Sequence, residues 1–127
     1  MTDIQKVIKN LTDKEVNTKL ASWEGWTNIQ DYHFHDGNDM DGIPPGCNEK
    51  YTLYRQSIPN YTDNLNSIHK LEEKLTDNER SFYIYWFYTT CRETPNINSL
   101  KLDWIKIHAT ARQRAESILL TLHYTHI

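Results

Sequence analysis

A chain of 127 residues with a net charge of −3 fits one domain, long enough to bury a core without metal or disulfide staples. The negative balance excludes general affinity for nucleic-acid phosphates, which needs a clustered excess of Lys and Arg. No apolar run approaches ~18 residues, so no membrane-spanning helix is expected. The two cysteines, Cys47 and Cys91, are far apart with no C-x-x-C spacing. With no apolar leader core at the N-terminus, a reduced cytosolic setting is the simpler expectation.

In chain order, the first signal is a Thr followed three residues later by Gln or Glu, the pattern of a helix-capping box. It occurs at Thr2–Gln5, Thr12–Glu15, Thr76–Glu79 and Thr110–Gln113. Behind Thr2 stand Ile4, Val7, Ile8 and Leu11, and behind Thr12 stand Val16, Leu20 and Trp23, both at helical spacing. Two N-terminal helices within residues 1–24 follow.

Residues 25–58 change character. Strands are predicted from Trp26 to about His35 and from Tyr51 to Gln56. The loop joining them carries Gly37, Gly42, Pro44, Pro45 and Gly46, which break regular structure. The first strand places Asp31, His33 and His35 on one face, a spacing able to hold Zn²⁺ or another borderline metal. Tyr32 and Phe34 take the other face, as a half-buried strand requires, which leaves the histidines wet. The aspartates that follow do not fit a calcium loop: counting from Asp36, Met40 falls where a carboxylate is needed and Asp41 where a glycine is needed. The stretch reads as a solvated strand end, and no metal or cofactor is assigned.

Residues 59–127 read as mainly helical. Pro59 closes the preceding strand, Asn60 or Thr62 caps a helix running to Leu75, and Tyr61, Leu65, Ile68, Leu71 and Leu75 form its apolar face. The aromatic segment "SFYIYWFYTTC" has strand-like composition. The capping box ahead of it and the lack of a turn signal favour a helix from Asp77 to about Thr90. Such a helix at the surface buries only a stripe, so the other rings of Phe82–Tyr88 predict a homodimer or higher homo-oligomer. Leu100–Ile107 is a third short strand or extended segment. Behind Thr110, the residues Ala111, Ala115, Ile118, Leu119 and Leu122 form one continuous apolar face. The fold class is α+β: a small antiparallel sheet of two to three strands packed by three to five helices in one domain.

Catalytic signatures are missing. There is no nucleophile elbow and no Gly-rich phosphate loop. Cys91 reads as a buried small residue, and His69 as a hydrogen-bonding histidine at a core edge. The most suggestive binding feature is "HATARQR". Thr110 caps a helix whose first amides face outward, with Arg112 and Arg114 flanking them and His108 just outside, a setting that suits a small anion. Against it stands a plain capped helix whose arginines pair with nearby carboxylates. Trp26, Tyr32, Tyr51 and Tyr54 supply a stacking surface if they reach the same cleft.

Three stretches together, "LASWEGW" (Leu20–Trp26), "IPNYTDNLNSIHKLEEKL" (Ile58–Leu75) and "ATARQRAESILLTL" (Ala109–Leu122), resemble the phage ABA sandwich domain family. The matching positions include Pro59, Tyr61, Asn64, Leu65, Asn66, His69, Glu72, Thr110, Arg114, Ala115 and Glu116. The aromatic segment Phe82–Tyr88 departs from the pattern. The resemblance implies a compact α/β fold, a bacteriophage origin and life in the cytoplasm of an infected host. It carries no catalytic residues.

Two function classes compete. One is a non-enzymatic counter-defence protein that sequesters a signalling nucleotide or blocks a host protein. The other is a metal-dependent phosphoesterase built on Asp31, His33 and His35. A structural accessory phage protein is the third option.

Overall fold

The computed structural model describes residues 2–31, 40–46, 55–92 and 109–126. All four capping boxes form, each with its reciprocal pair of hydrogen bonds, at Thr2–Gln5, Thr12–Glu15, Thr76–Glu79 and Thr110–Gln113. They start α1 (Asp3–Lys9), α2 (Asp13–Glu24), α4 (Asp77–Arg92) and α5 (Ala111–Thr125). Between them lie β1 (Thr27–Asp31), β2 (Met40–Ile43), β3 (Gln56–Ser57) and α3 (Leu65–Glu73). The α+β architecture is therefore as the sequence predicts.

The sheet is antiparallel with strand order β1-β2-β3. Its central strand is the correction to the sequence reading, because β2 lies inside the segment assigned to a breaker-rich loop. Gly42 is not a breaker there. A Cβ at Gly42 would stand 3.0 Å from the Thr27 carbonyl oxygen and 3.2 Å from Ile29 Cγ1. The glycine lets β1 approach closely, a use of glycine that composition cannot separate from a turn. The register then slips between Thr27 and Gln30, where Asn28 adopts a positive φ of 50°. An asparagine tolerates that region better than most residues.

The third helix is shorter than expected. It begins at Leu65 with Asn64 as its cap, whose Oδ1 accepts from the Ser67 amide at 3.1 Å. Neither expected cap is available. The Asn60 side-chain Oδ1 accepts from Asn17 Nδ2 and from the Thr62 hydroxyl, both at 3.0 Å, and the Thr62 amide donates to Asn17 Oδ1 at 3.1 Å. Tyr61 is buried as expected but precedes the helix, and Leu65 is exposed rather than part of the apolar face.

Among the described residues one hydrophobic cluster draws on all five helices, including Ile8 of α1, Val16 and Leu20 of α2, Ile68 and Leu71 of α3, Phe87 of α4 and Ile118 of α5. Val16, Leu20, Ile68, Leu71 and Ile118 are wholly buried. Each such side chain is worth about 1.5–3 kcal/mol of transfer free energy before entropy is counted. In α4, Tyr83, Trp86 and Phe87 face this core while Phe82, Ile84 and Tyr85 face outward. The expected strand at Leu100–Ile107 lies outside the described residues.

Candidate functional site

The helix start at Thr110 is built as a cap, but its arginines are committed elsewhere. Arg112 reaches back to the end of α1. Its Nη2 donates to the carbonyls of Leu11 at 2.7 Å and Ile8 at 3.2 Å, its Nη1 to Asp13 at 2.9 Å, and its Nε to Glu116 at 3.0 Å. This is the ion-paired alternative to the anion site. It serves a second purpose, since the last carbonyls of a helix lack partners of their own. Burial pushes the Glu116 carboxyl up, with Arg112 pulling the other way.

Arg114 is buried beneath α3. Its Nη1 donates to Glu72 Oε2 at 3.1 Å and its guanidinium lies 5.0 Å from the centre of the Phe87 ring. The Tyr83 hydroxyl donates to the same Glu72 oxygen, while His69 Nδ1 shares a 2.6 Å hydrogen bond with Glu72 Oε1. Burial and then Glu72 push the Tyr83 phenol far up. Glu72 is thus a hub joining α3, α4 and α5, with both of its carboxylate oxygens bonded to protein groups. His69 sits on the outer side of this hub. His108, Tyr32, Tyr51 and Tyr54, like His33 and His35, lie outside the described residues.

Trp26 leads to a different place. Gly25, with φ 112°, ends α2 in the left-handed region, and its amide bonds Ala21 and Ser22 carbonyls. The chain then turns so that the Trp26 amide donates to the Ala21 carbonyl at 3.0 Å. That turn sets the Trp26 indole beside Glu24, with Nε1 donating to Glu24 Oε1 at 3.1 Å. The Tyr61 hydroxyl donates to the same oxygen at 2.6 Å, and Lys74 Nζ reaches Oε2 at 2.8 Å.

Burial works against the Glu24 charge, but the hydrogen bonds from Lys74, Tyr61 and Trp26 outweigh it and hold the carboxyl below its ordinary range. The Tyr61 phenol is pushed far up, by burial first and then by Glu24. Around this group opens a cleft of about 360 Å³, lined also by Trp26, Pro45, Pro59, Ser67, Lys70 and Lys74.

Lys70 is exposed and one helical turn from Lys74, whose ammonium is paired with Glu24, and both lysines line the same cleft as the largely buried Trp26 indole and the two prolines. Of the described residues proposed from sequence, Trp26 lies in this cleft, and Thr110, Arg112, Arg114 and His69 do not line it. Lys70, Lys74, Glu24 and Pro45 were missed. The spacing Ser67, Lys70, Lys74 marks one polar helix face, which was the available signal.

No protein family, curated protein or solved structure matches the chain. Among the described residues, no helix is long and apolar enough to cross a membrane.

Proposed function

We propose that this protein is a non-enzymatic binding protein that captures a small anionic ligand, a signalling nucleotide, in the cleft between the end of α2 and α3. The observation that carries the reading is that the apolar rings of Trp26, Pro45 and Pro59 line the same cleft as Lys70 and Lys74. Ring surfaces hold a planar base and lysines act as point charges toward phosphate. Glu24 balances Lys74, which leaves Lys70 as the charge facing a ligand.

The resemblance of the Leu20–Trp26, Ile58–Leu75 and Ala109–Leu122 stretches to the phage ABA sandwich family supports a phage protein acting in the host cytoplasm. There, sequestration of a host signal would be a counter-defence. The outward rings of α4, Phe82 and Tyr85, flank an apolar cavity of about 340 Å³ with Trp86 and Tyr124. They support self-association as a homodimer.

Calorimetric titration with a panel of nucleotides tests the reading. At least one nucleotide is expected to bind the wild-type protein and to bind Lys70→Ala at least about tenfold more weakly, as loss of a charge-assisted contact implies. A panel in which nothing binds refutes it.

A further inference from the structure

The Glu24–Lys74 ion pair lies within the lining of the Trp26 cleft, and its two members are held very differently. The Glu24 side chain is only 12% exposed, and its Oε1 is pinned by the Trp26 indole N–H and the Tyr61 hydroxyl. Both donors belong to core side chains, so the carboxylate is fixed in place. Lys74 is half exposed, and among the described residues its ammonium bonds Glu24 Oε2 alone, at 2.8 Å. Its backbone closes α3, with the amide donating to the Leu71 and Glu72 carbonyls. The long side chain therefore swings from a fixed root. An ion pair of this exposure is weak, and a lysine meets phosphate as a point charge that demands no single geometry. Lys70 stands one helical turn before Lys74 on the same face, where such residues are neighbours.

Resting on the reading of the Trp26 cleft as a nucleotide site, we propose that Glu24 is an internal competitor of the ligand, holding Lys74 in the free protein and yielding it to the second phosphate of a nucleoside diphosphate. Lys70 takes the first phosphate without breaking any contact between described residues. The next phosphate along the chain comes within reach of Lys74, and takes its ammonium from Glu24 Oε2. The carboxylate stays behind on Trp26 and Tyr61. Glu24 thus determines specificity through a charge that the ligand has to replace. A monophosphate is satisfied at Lys70 and leaves the pair intact, whereas a diphosphate draws on both lysines.

Calorimetry with adenosine diphosphate and adenosine monophosphate tests this in the wild-type, Glu24→Gln and Glu24→Gln/Lys74→Ala proteins. Glutamine keeps an oxygen for Trp26 and Tyr61 but offers Lys74 no charge. Glu24→Gln is expected to tighten the diphosphate about fivefold, the size of the ion pair it releases, and to leave the monophosphate unchanged. Adding Lys74→Ala is expected to remove that gain. An unchanged or weaker diphosphate affinity in Glu24→Gln overturns the competition and leaves the cleft standing. So does a gain that survives the loss of Lys74, or one shared equally by the two probes. If Glu24→Gln fails to fold, lysine side-chain NMR of the wild-type protein decides. The diphosphate should then shift the Lys74 signal together with that of Lys70, and a shift of Lys70 alone overturns the proposal. If the diphosphate binds none of these proteins the competition falls, and the nucleotide panel decides the cleft.

Discussion

Arg112 shows how one residue changes meaning between sequence and structure. Beside Thr110 it looks like an anion contact, whereas its guanidinium bonds three carbonyls at and just after the end of α1, of Ile8, Lys9 and Leu11, and two carboxylates. Arg112→Ala should cost about 2 kcal/mol, because Glu116 and the Leu11 carbonyl lose a charge-assisted partner. Thr110→Ala should cost about 1 kcal/mol through loss of the cap. Denaturant titration of both variants checks the order, and a neutral Arg112→Ala would mean that the side chain does not reach α1.

Cys91 gives an independent residue-scale test. It is fully buried, and burial pushes its thiol up to about 11. In a Cys47→Ser background, a thiol reagent at neutral pH should label it only as fast as the chain opens. Rapid labelling of the native protein would place Cys91 at the surface.

At the scale of elements, what was legible was local. A capping box spans four residues and states its chemistry in the sequence, so four helix starts were readable. The central strand was not, because the role of Gly42 depends on Thr27 and Ile29 across the sheet. The candidate site was hidden for the same reason. Glu24 meets Tyr61 at a sequence separation of 37 and Lys74 at a separation of 50. Periodicity cannot report contacts of that range.

That long-range cluster has a pH signature. The folded state holds the Glu24 carboxyl below its ordinary value of 4.5, and Glu79, bonded to His126 and the Thr76 amide, is lowered likewise. The unfolded chain therefore takes up protons first as the solution is acidified. The stability these groups contribute is complete well above 4.5 and is lost as pH falls through their lowered folded values. Thermal melts should show this acid loss in the wild-type protein and a smaller one in Glu24→Gln. An identical acid limb in the variant would mean that Glu24 is not paired in the folded protein.

For the whole molecule, the helices share one core while α4 keeps Phe82 and Tyr85 outside it. Trp86 stacks on Tyr124 with ring centres 5.0 Å apart, which fixes a flat aromatic platform at the α4–α5 edge. If two copies meet there, sedimentation at micromolar concentration should show a species of about twice 15.1 kDa, and Tyr85→Ser should return it to the monomer without changing the fold. A wild-type monomer at all concentrations would assign the platform to another partner or to none.

The binding reading itself rests on a ligand leaving the protein as it entered. The most direct measurement incubates the purified protein with the nucleotide panel, removes unbound material, denatures the complex and identifies what is released by mass spectrometry. Capture without chemistry is expected to return one nucleotide class, unaltered and near one equivalent per binding site, with the yield falling in Lys70→Ala. Release of a hydrolysed or otherwise converted product, or of no nucleotide at all, would contradict it.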